Sequence, residues 1–437
     1  MYRHLVRLAI GIGAAAALIL PATAIAAHAS GNTLYVSPGA SNAADGSCAT
    51  AEYATIQSAV NAAVAGNDLV ICAGTYAEQV TITTSNLTLT TQGLAILQPT
   101  TASANATDLD NSQPIVAVLA VESPAKGVQV SGLTIDGSGI ESSVEGCGTD
   151  LVGVLYQASA GSATASLKHL TIENITPTDS GCGSGLGILA QAGATGSATA
   201  ALTISNNTVS GYGKNGVTCS DLGITCTIAS NTIGTAATSL VGQNGVQMGF
   251  GATGSVSKNT ITGNNYTGTA GDANPQIQSD YAAGVLLYAA GINADGATTA
   301  STLVSGNHLL NNQIGVEVVD SAASVTSNSI LENPGITGSA GVYGVGCDAY
   351  CGYFTDNDGA TLNSAAAANQ AVSVTKNTIN FASPAPSASY GIWLGDNSWS
   401  AASGYYAPAG SESVSVTDKA ISNVTHLLLI DSGASFA

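Results

Sequence analysis

Aliphatic residues alternate with small polar ones in short runs along most of this 437-residue chain, and one such run keeps returning. Ser255–Asn265 reads SVSKNTITGNN, Ser324–Asn333 reads SVTSNSILEN, Ser373–Asn380 reads SVTKNTIN and Leu202–Val209 reads LTISNNTV. A period of two in segments rich in Val, Ile and Thr predicts short half-buried strands. Aligning the runs brings Asn207, Asn231, Asn259, Asn307, Asn328 and Asn377 to one position, which Leu87, Leu133, Leu170 and Lys419 occupy in related segments. The closest spacings are 21 and 24 residues. A second motif comes after each marker: a glycine, an aliphatic, any residue, then usually another aliphatic. It begins at Gly153, Gly187, Gly245, Gly315 and Gly391 and surrounds Gly344.

Units of this length cannot bury an apolar face alone, so they must stack. Each offers two or three strands and no room for a helix. Successive units then pair as parallel strands about 4.8 Å apart, with alternate residues forming a narrow core of Val, Ile and Leu. At one turn the repeated asparagines stack as an amide ladder. A leucine-rich repeat also spaces aliphatics around an asparagine, but no helical face follows the strand here.

The stretch before the coils differs. Ile56, Ala59, Val60, Ala63 and Val64 fall at helical spacing and Gly66 ends the pattern, which predicts a short helix covering the apolar end of the stack. Tyr53–Glu78, with TIQSAV, the Gly66-Asn67-Asp68 turn and GTY at Gly74–Tyr76, resembles secreted right-handed parallel β-helix proteins of the pectin-lyase-like superfamily. The asparagine-bearing repeats match the same group. The resemblance implies an all-β fold: a right-handed parallel β-helix of about ten coils with a short N-terminal capping helix. Residues 30–79 would hold the first strand and the cap, and 80–437 the β-helix. Lyases, glycosidases, esterases and adhesins share that fold, so the resemblance speaks to architecture and leaves activity open.

Residues 1–29 read as a secretory signal: Arg3, His4 and Arg7 precede an apolar run from Leu8 to Leu20, then Pro21 and small residues at Ala27–Ala29. The run is too short for an ordinary membrane span, so a secreted, extracellular protein is expected. Both arginines lie in this leader. The rest of the chain carries six lysines against 27 acidic residues, a formal charge of −21 where the whole chain has −19. Such a balance excludes nucleic acid and anionic lipid as partners, and it disfavours a polyanionic substrate unless a cation bridges the two. A monomer is expected.

All eight cysteines lie beyond the leader, as suits an oxidising compartment. Cys48 and Cys72 flank the predicted helix. Cys219–Cys226 and Cys347–Cys351 are local pairs. Cys147 and Cys182 stand six and five residues before Gly153 and Gly187, in neighbouring repeats. A metal site is the rival reading, with no CxxC pair and few histidines to support it.

The catalytic segments of polygalacturonase-like members (Asn-Thr-Asp, Asp-Asp, Gly-His-Gly and Arg-Ile-Lys) are absent, as is the arginine base of many pectate-lyase-like members. A lysine can replace that base if burial lowers its pKa. Lys168, Lys258 and Lys376 fall close to the turn rung, where a solvated tip is the ordinary outcome. His169, His308 and His426 have no nucleophile motif beside them and read as structural. The DNDG at Asp356–Gly359 reads as a turn that lacks the further ligands of a calcium loop.

One row carries candidate chemistry. Asp320 and Asp396 each stand five residues after their strand glycine, Asp431 five after His426, and Asp348 four after Gly344. Stacking would align these carboxylates, with Glu317 projecting outward beside Asp320. Aligned acids raise one another's pKa or recruit a cation, so a Ca²⁺ ion held by Asp320, Asp348 and Asp396 is one reading; turn-forming aspartates are the other. Ca²⁺ is the one cofactor indicated. Trp393, Trp399 and Tyr343 lie in the same region and suit stacking on sugar rings, or packing beneath loops. Two functions are consistent with this pattern. In the first the protein interacts with extracellular polysaccharide, with Glu317, Asp320 and Asp348 as the acid/base candidates if it cleaves as a lyase or glycosidase. In the second it is a non-catalytic surface or matrix protein, an adhesin or spacer.

Overall fold

The computed structural model describes residues 33–40, 46–159, 161–178, 184–193, 198–234, 241–266, 282–291, 300–319, 321–332, 339–345, 372–381, 389–395, 414–416, 420–422 and 426–430. Apart from the antiparallel pairing of Ala106–Thr107 with Pro114–Glu122, the strands pair in parallel, each with its counterpart one coil away. They make two sheets. The first bends at the asparagine turn, so that Ala198–Ser205 and Thr208–Ser210, for example, lie either side of the bend. The second is a flat stack of eleven strands from Val80–Ile82 to His426–Ile430, edged by Ala106–Thr107. This is the parallel β-helix that the repeat predicts.

Register explains the core. Leu167, Ile204, Ile228, Val256, Val304, Val325 and Val374 pair in sequence down the first sheet, and all are buried. Each such side chain contributes about 1.5–3 kcal/mol by leaving water. At the bend, Asn207, Asn231, Asn259, Asn307, Asn328 and Asn377 stack with their amides hydrogen-bonded to one another. The residue before each of these (Asn206, Ser230, Lys258, Gly306, Ser327 and Lys376) has φ between 56° and 64°. The bend therefore needs a left-handed residue immediately before the ladder.

The second motif has its own cause. A Cβ on Gly153, Gly187, Gly216, Gly245 or Gly284 would lie 2.5–2.8 Å from the carbonyl oxygen of the next glycine in the stack. The backbones approach so closely that only glycine fits. Register assigns this position in the coil after Gly315 to Gly341, since Val316 pairs with Val342 and Val318 with Gly344. Gly344 is thus not the strand glycine, and Asp348 stands seven residues beyond Gly341 where Asp320 stands five beyond Gly315. The spacing that aligned those two acids does not hold.

The capping helix is Ile56–Ala62. Thr55 caps it by accepting from the Ser58 amide at 3.1 Å. The Glu78 carboxylate accepts from the Ile56 and Gln57 amides at 2.6 and 3.0 Å, placing negative charge at the helix N-terminus. Ile56, Ala59 and Val60 pack into the core. Val64, expected on that face, is 66% exposed: the helix ends at Ala63, and the Asn67 side chain accepts the Val64 amide to turn the chain away.

Disulfides join Cys48 to Cys72 and Cys219 to Cys226. The second crosses the core from one sheet to the other, both residues being fully buried. Cys147 is also disulfide-bonded. Cys182, Cys347 and Cys351 lie outside the described residues. Among the described residues no helix is long and apolar enough to cross a membrane.

Candidate functional site

The outer face of the second sheet is set by alternation about its strands. Val217 and Cys219, Val246 and Met248, and Val316 and Val318 enter the core, so Thr218, Gln247 and Glu317 between them face out. Gly216 turns inward together with Val217, because a Cβ there would meet Ile233 and Tyr212. That doubled inward step returns Asn215 to the outer face, where its amide donates to the Thr218 hydroxyl at 3.0 Å.

Register runs one row, which faces out at Thr218, Gln247 and Glu317, through Ala120, Leu155, Leu189, Thr218, Gln247, Leu286, Glu317, Tyr343 and Trp393. The row changes character along the stack. Its first part is apolar: Ala120, Leu155 and Leu189 form a second hydrophobic cluster with Ile115, Val152 and Leu186, against which Ala106 of the 101–113 segment packs. The middle is polar. Asn244 donates to Asn215 at 3.0 Å, and Asn215 donates to Gln247 at 2.9 Å. Leu286 comes next, and Glu317, Tyr343 and Trp393 follow it on consecutive strands, so three of the candidates read from sequence occupy one register row.

Lys214 borders the polar stretch, and its ammonium donates to the Gly242 carbonyl. Burial pushes its pKa down to about 8, partly offset by the Glu317 carboxylate. Sequence reading passed over this lysine because it does not precede a turn rung. The available signal was its place two residues before Gly216, whose GVTC continues the glycine motif. Lys168 and Lys258 are exposed, and Lys258 and Lys376 occupy the left-handed turn tip.

Glu317 is only 6% exposed, so it belongs to a buried polar layer rather than an open strand face. Asp320, Asp348, Asp396 and Trp399 lie outside the described residues. Among the described residues, no group of three or more His, Cys, Asp or Glu side chains is arranged to hold a metal ion.

No family model matches the sequence, and no curated protein does. Among solved structures, the GH136 lacto-N-biosidase of Eubacterium ramulus aligns with 93% of this chain and 68% of its own, at 10% identity and a TM-score of 0.52. The A-module of the mannuronan C-5 epimerase AlgE4 of Azotobacter vinelandii aligns with 87% of this chain and 94% of its own, at 15% identity and a TM-score of 0.52. At such identities the likeness establishes the fold alone: a right-handed parallel β-helix.

Proposed function

We propose that the protein is secreted and engages an extracellular polysaccharide along the outer face of the second sheet. The observation that carries this reading is the register Glu317–Tyr343–Trp393 on three consecutive strands, reached past Leu286 from the largely buried polar layer of Asn215, Thr218, Asn244 and Gln247. Rungs about 4.8 Å apart set one carboxylate residue and then two aromatic residues in one register row. Such a line suits an extended glycan, whose hydroxyls take hydrogen bonds and whose ring faces stack on aromatics. Two proteins of this fold, a lacto-N-biosidase and a mannuronan epimerase, are named for work on glycans. The acidic, arginine-free composition favours a neutral chain, or a uronate bridged by Ca²⁺ through Asp320, Asp348 and Asp396.

Lys214, whose ammonium senses the Glu317 carboxylate, favours cleavage as a second reading. An amine with its pKa near 8 can move a proton at a sugar carbon or leaving oxygen. Asp320 and Asp348 remain acid/base candidates, and Trp399 a further stacking residue. The test is binding and turnover on a panel of neutral and uronic polysaccharides, with Ca²⁺ and with chelator. Binding that weakens in Glu317→Gln and Trp393→Ala supports the reading. Folded protein that binds no glycan would leave an adhesin or spacer in its place.

A further inference from the structure

We propose that Asp110 and Asp221 share one proton and thereby fasten the 101–113 segment to the second sheet in a pH-dependent way. This segment lies outside the solenoid, and its residue Ala106 packs on the apolar cluster of Ala120, Leu155 and Leu189. Its far end is tied down by a chain of polar contacts that climbs three successive strands. Gln157 donates to the Thr107 carbonyl at 2.8 Å and to the Gln191 side chain at 3.0 Å. Gln191 accepts from the Leu109 amide and donates to the Asp110 carboxyl, both at 3.3 Å. The Ser220 hydroxyl also donates to Asp110 at 3.3 Å.

Asp221 sits next to Ser220 and is fully buried, with φ of 91°. Its Oδ2 accepts the Ala192 and Gly193 amides at 3.0 and 2.8 Å. Its Oδ1 is buried and has no N–H or hydroxyl donor. The Asp110 carboxyl, held by Ser220 one residue before Asp221, interacts with the Asp221 carboxyl side chain to side chain. Two buried carboxyls in contact cannot both ionise, because each has lost its hydration and repels the other. A proton held between them supplies the donor that Oδ1 otherwise lacks.

The surrounding charges all favour keeping that proton. Asp108, in the same segment, accepts the Asp110 and Asn111 amides at 2.7 and 3.1 Å and acts on both carboxyls. Asp150, at the start of its strand, is pushed up to about 6 by burial and by Asp108. Glu122, paired with Gln157 in register, is raised by burial. The strands Leu186–Gln191 and Asn215–Ser220 add no titratable side chain, Cys219 being disulfide-bonded. Both members of the pair titrate above the ordinary carboxylate range, chiefly through burial. The fastening is therefore complete at low and neutral pH, and it is lost as pH rises through the folded-state value, when the proton leaves to solvent and a second negative charge forms. Release would uncover the apolar cluster beneath.

The test is hydrogen exchange of peptides covering 101–113 in the full chain, from acid to alkaline pH, corrected for intrinsic rates. Protection in this segment should fall about tenfold or more on the alkaline side while the first-sheet strands keep theirs. Asp110→Asn, whose amide replaces the shared proton as donor, should hold protection flat. The parallel measurement needs no substitution: in protein labelled at aspartate carboxyl carbons, two resonances should titrate together above the ordinary range. Protection independent of pH, or aspartates that all titrate normally, would overturn the proposal.

Discussion

Asn231 receives on one amide oxygen both the backbone and the side-chain N–H of Asn207, at 2.9 and 3.0 Å. The same pair of contacts repeats from Asn231 to Asn259 and onward, while each side chain also donates to a main-chain carbonyl, as Asn259 does to Ile228 at 3.0 Å. Every rung thus satisfies donors of the rung before it. Asn259→Ala would orphan two buried donors on Asn231 and one carbonyl, costing about 2–3 kcal/mol. Thermal or denaturant unfolding should show the loss; an unchanged midpoint would mean that water substitutes for the ladder.

The glycine stack predicts a steric effect instead. Gly216→Ala would set a methyl 2.5 Å from Ile233 and 2.6 Å from the Gly245 carbonyl. Backbone cannot yield as a side-chain tip can, so the cost should reach about 3 kcal/mol or more. Gly148→Ala, with nothing within 4 Å, is the neutral control in the same assay.

The left-handed turn position predicts opposite signs at two equivalent residues. Lys258→Gly removes a strained φ of 56° from an exposed side chain and should raise stability by up to about 1 kcal/mol. Gly306→Ala introduces that strain at φ 64°, where the nearest atom to the new methyl is an ordinary 3.7 Å away, and should lower it by about the same amount.

Glu332 is wholly buried beside Asn312, and burial raises its pKa well above the ordinary value. Folding therefore takes up a proton once pH exceeds the ordinary glutamate range. The stability this group allows is fully present below the ordinary glutamate range and declines as pH rises toward the folded value, by about 1.4 kcal/mol per pH unit. Glu332→Gln should match the parent near pH 4 and exceed it near pH 8. Parallel stability curves for the two proteins would show that the carboxyl is solvated after all.

At the proposed site, Lys214 loses its charge as pH rises through about 8. Turnover that uses the free amine should rise across that pH, and binding that uses the ammonium should fall; Lys214→Met should flatten either profile. Trp393→Ala should weaken glycan binding about tenfold, the equivalent of about 1.4 kcal/mol. Calorimetric titration on a glycan panel reads both.

The fold was open to sequence reading because stacking forces the same residue to recur at each turn and core position. Asn259 and Val256 announce their roles by having counterparts in coil after coil, Asn259 among six ladder asparagines. Gly341 did not, because Tyr343-Gly344 beside it offered a second glycine at nearly the same spacing, and only pairing with Val316 and Val318 separates them. The Asp110–Asp221 contact left no trace at all. It joins residues 111 positions apart through a segment that lies outside the repeat, and no periodic pattern reports on such a meeting. Lys214 was hidden differently: its pKa depends on burial and on the charge of a glutamate several coils away, which composition cannot reveal.

The ladder and both sheets hydrogen-bond along the stacking axis, so each coil is held by its two neighbours. Under tension along that axis the rungs carry load in series, and the weakest rung sets the breaking force. Under shear across the axis the load is shared among the rungs. A solenoid built this way is a stiff rod that would fail by peeling from an end, which is where the Glu78-capped helix and the Cys48–Cys72 clasp are placed.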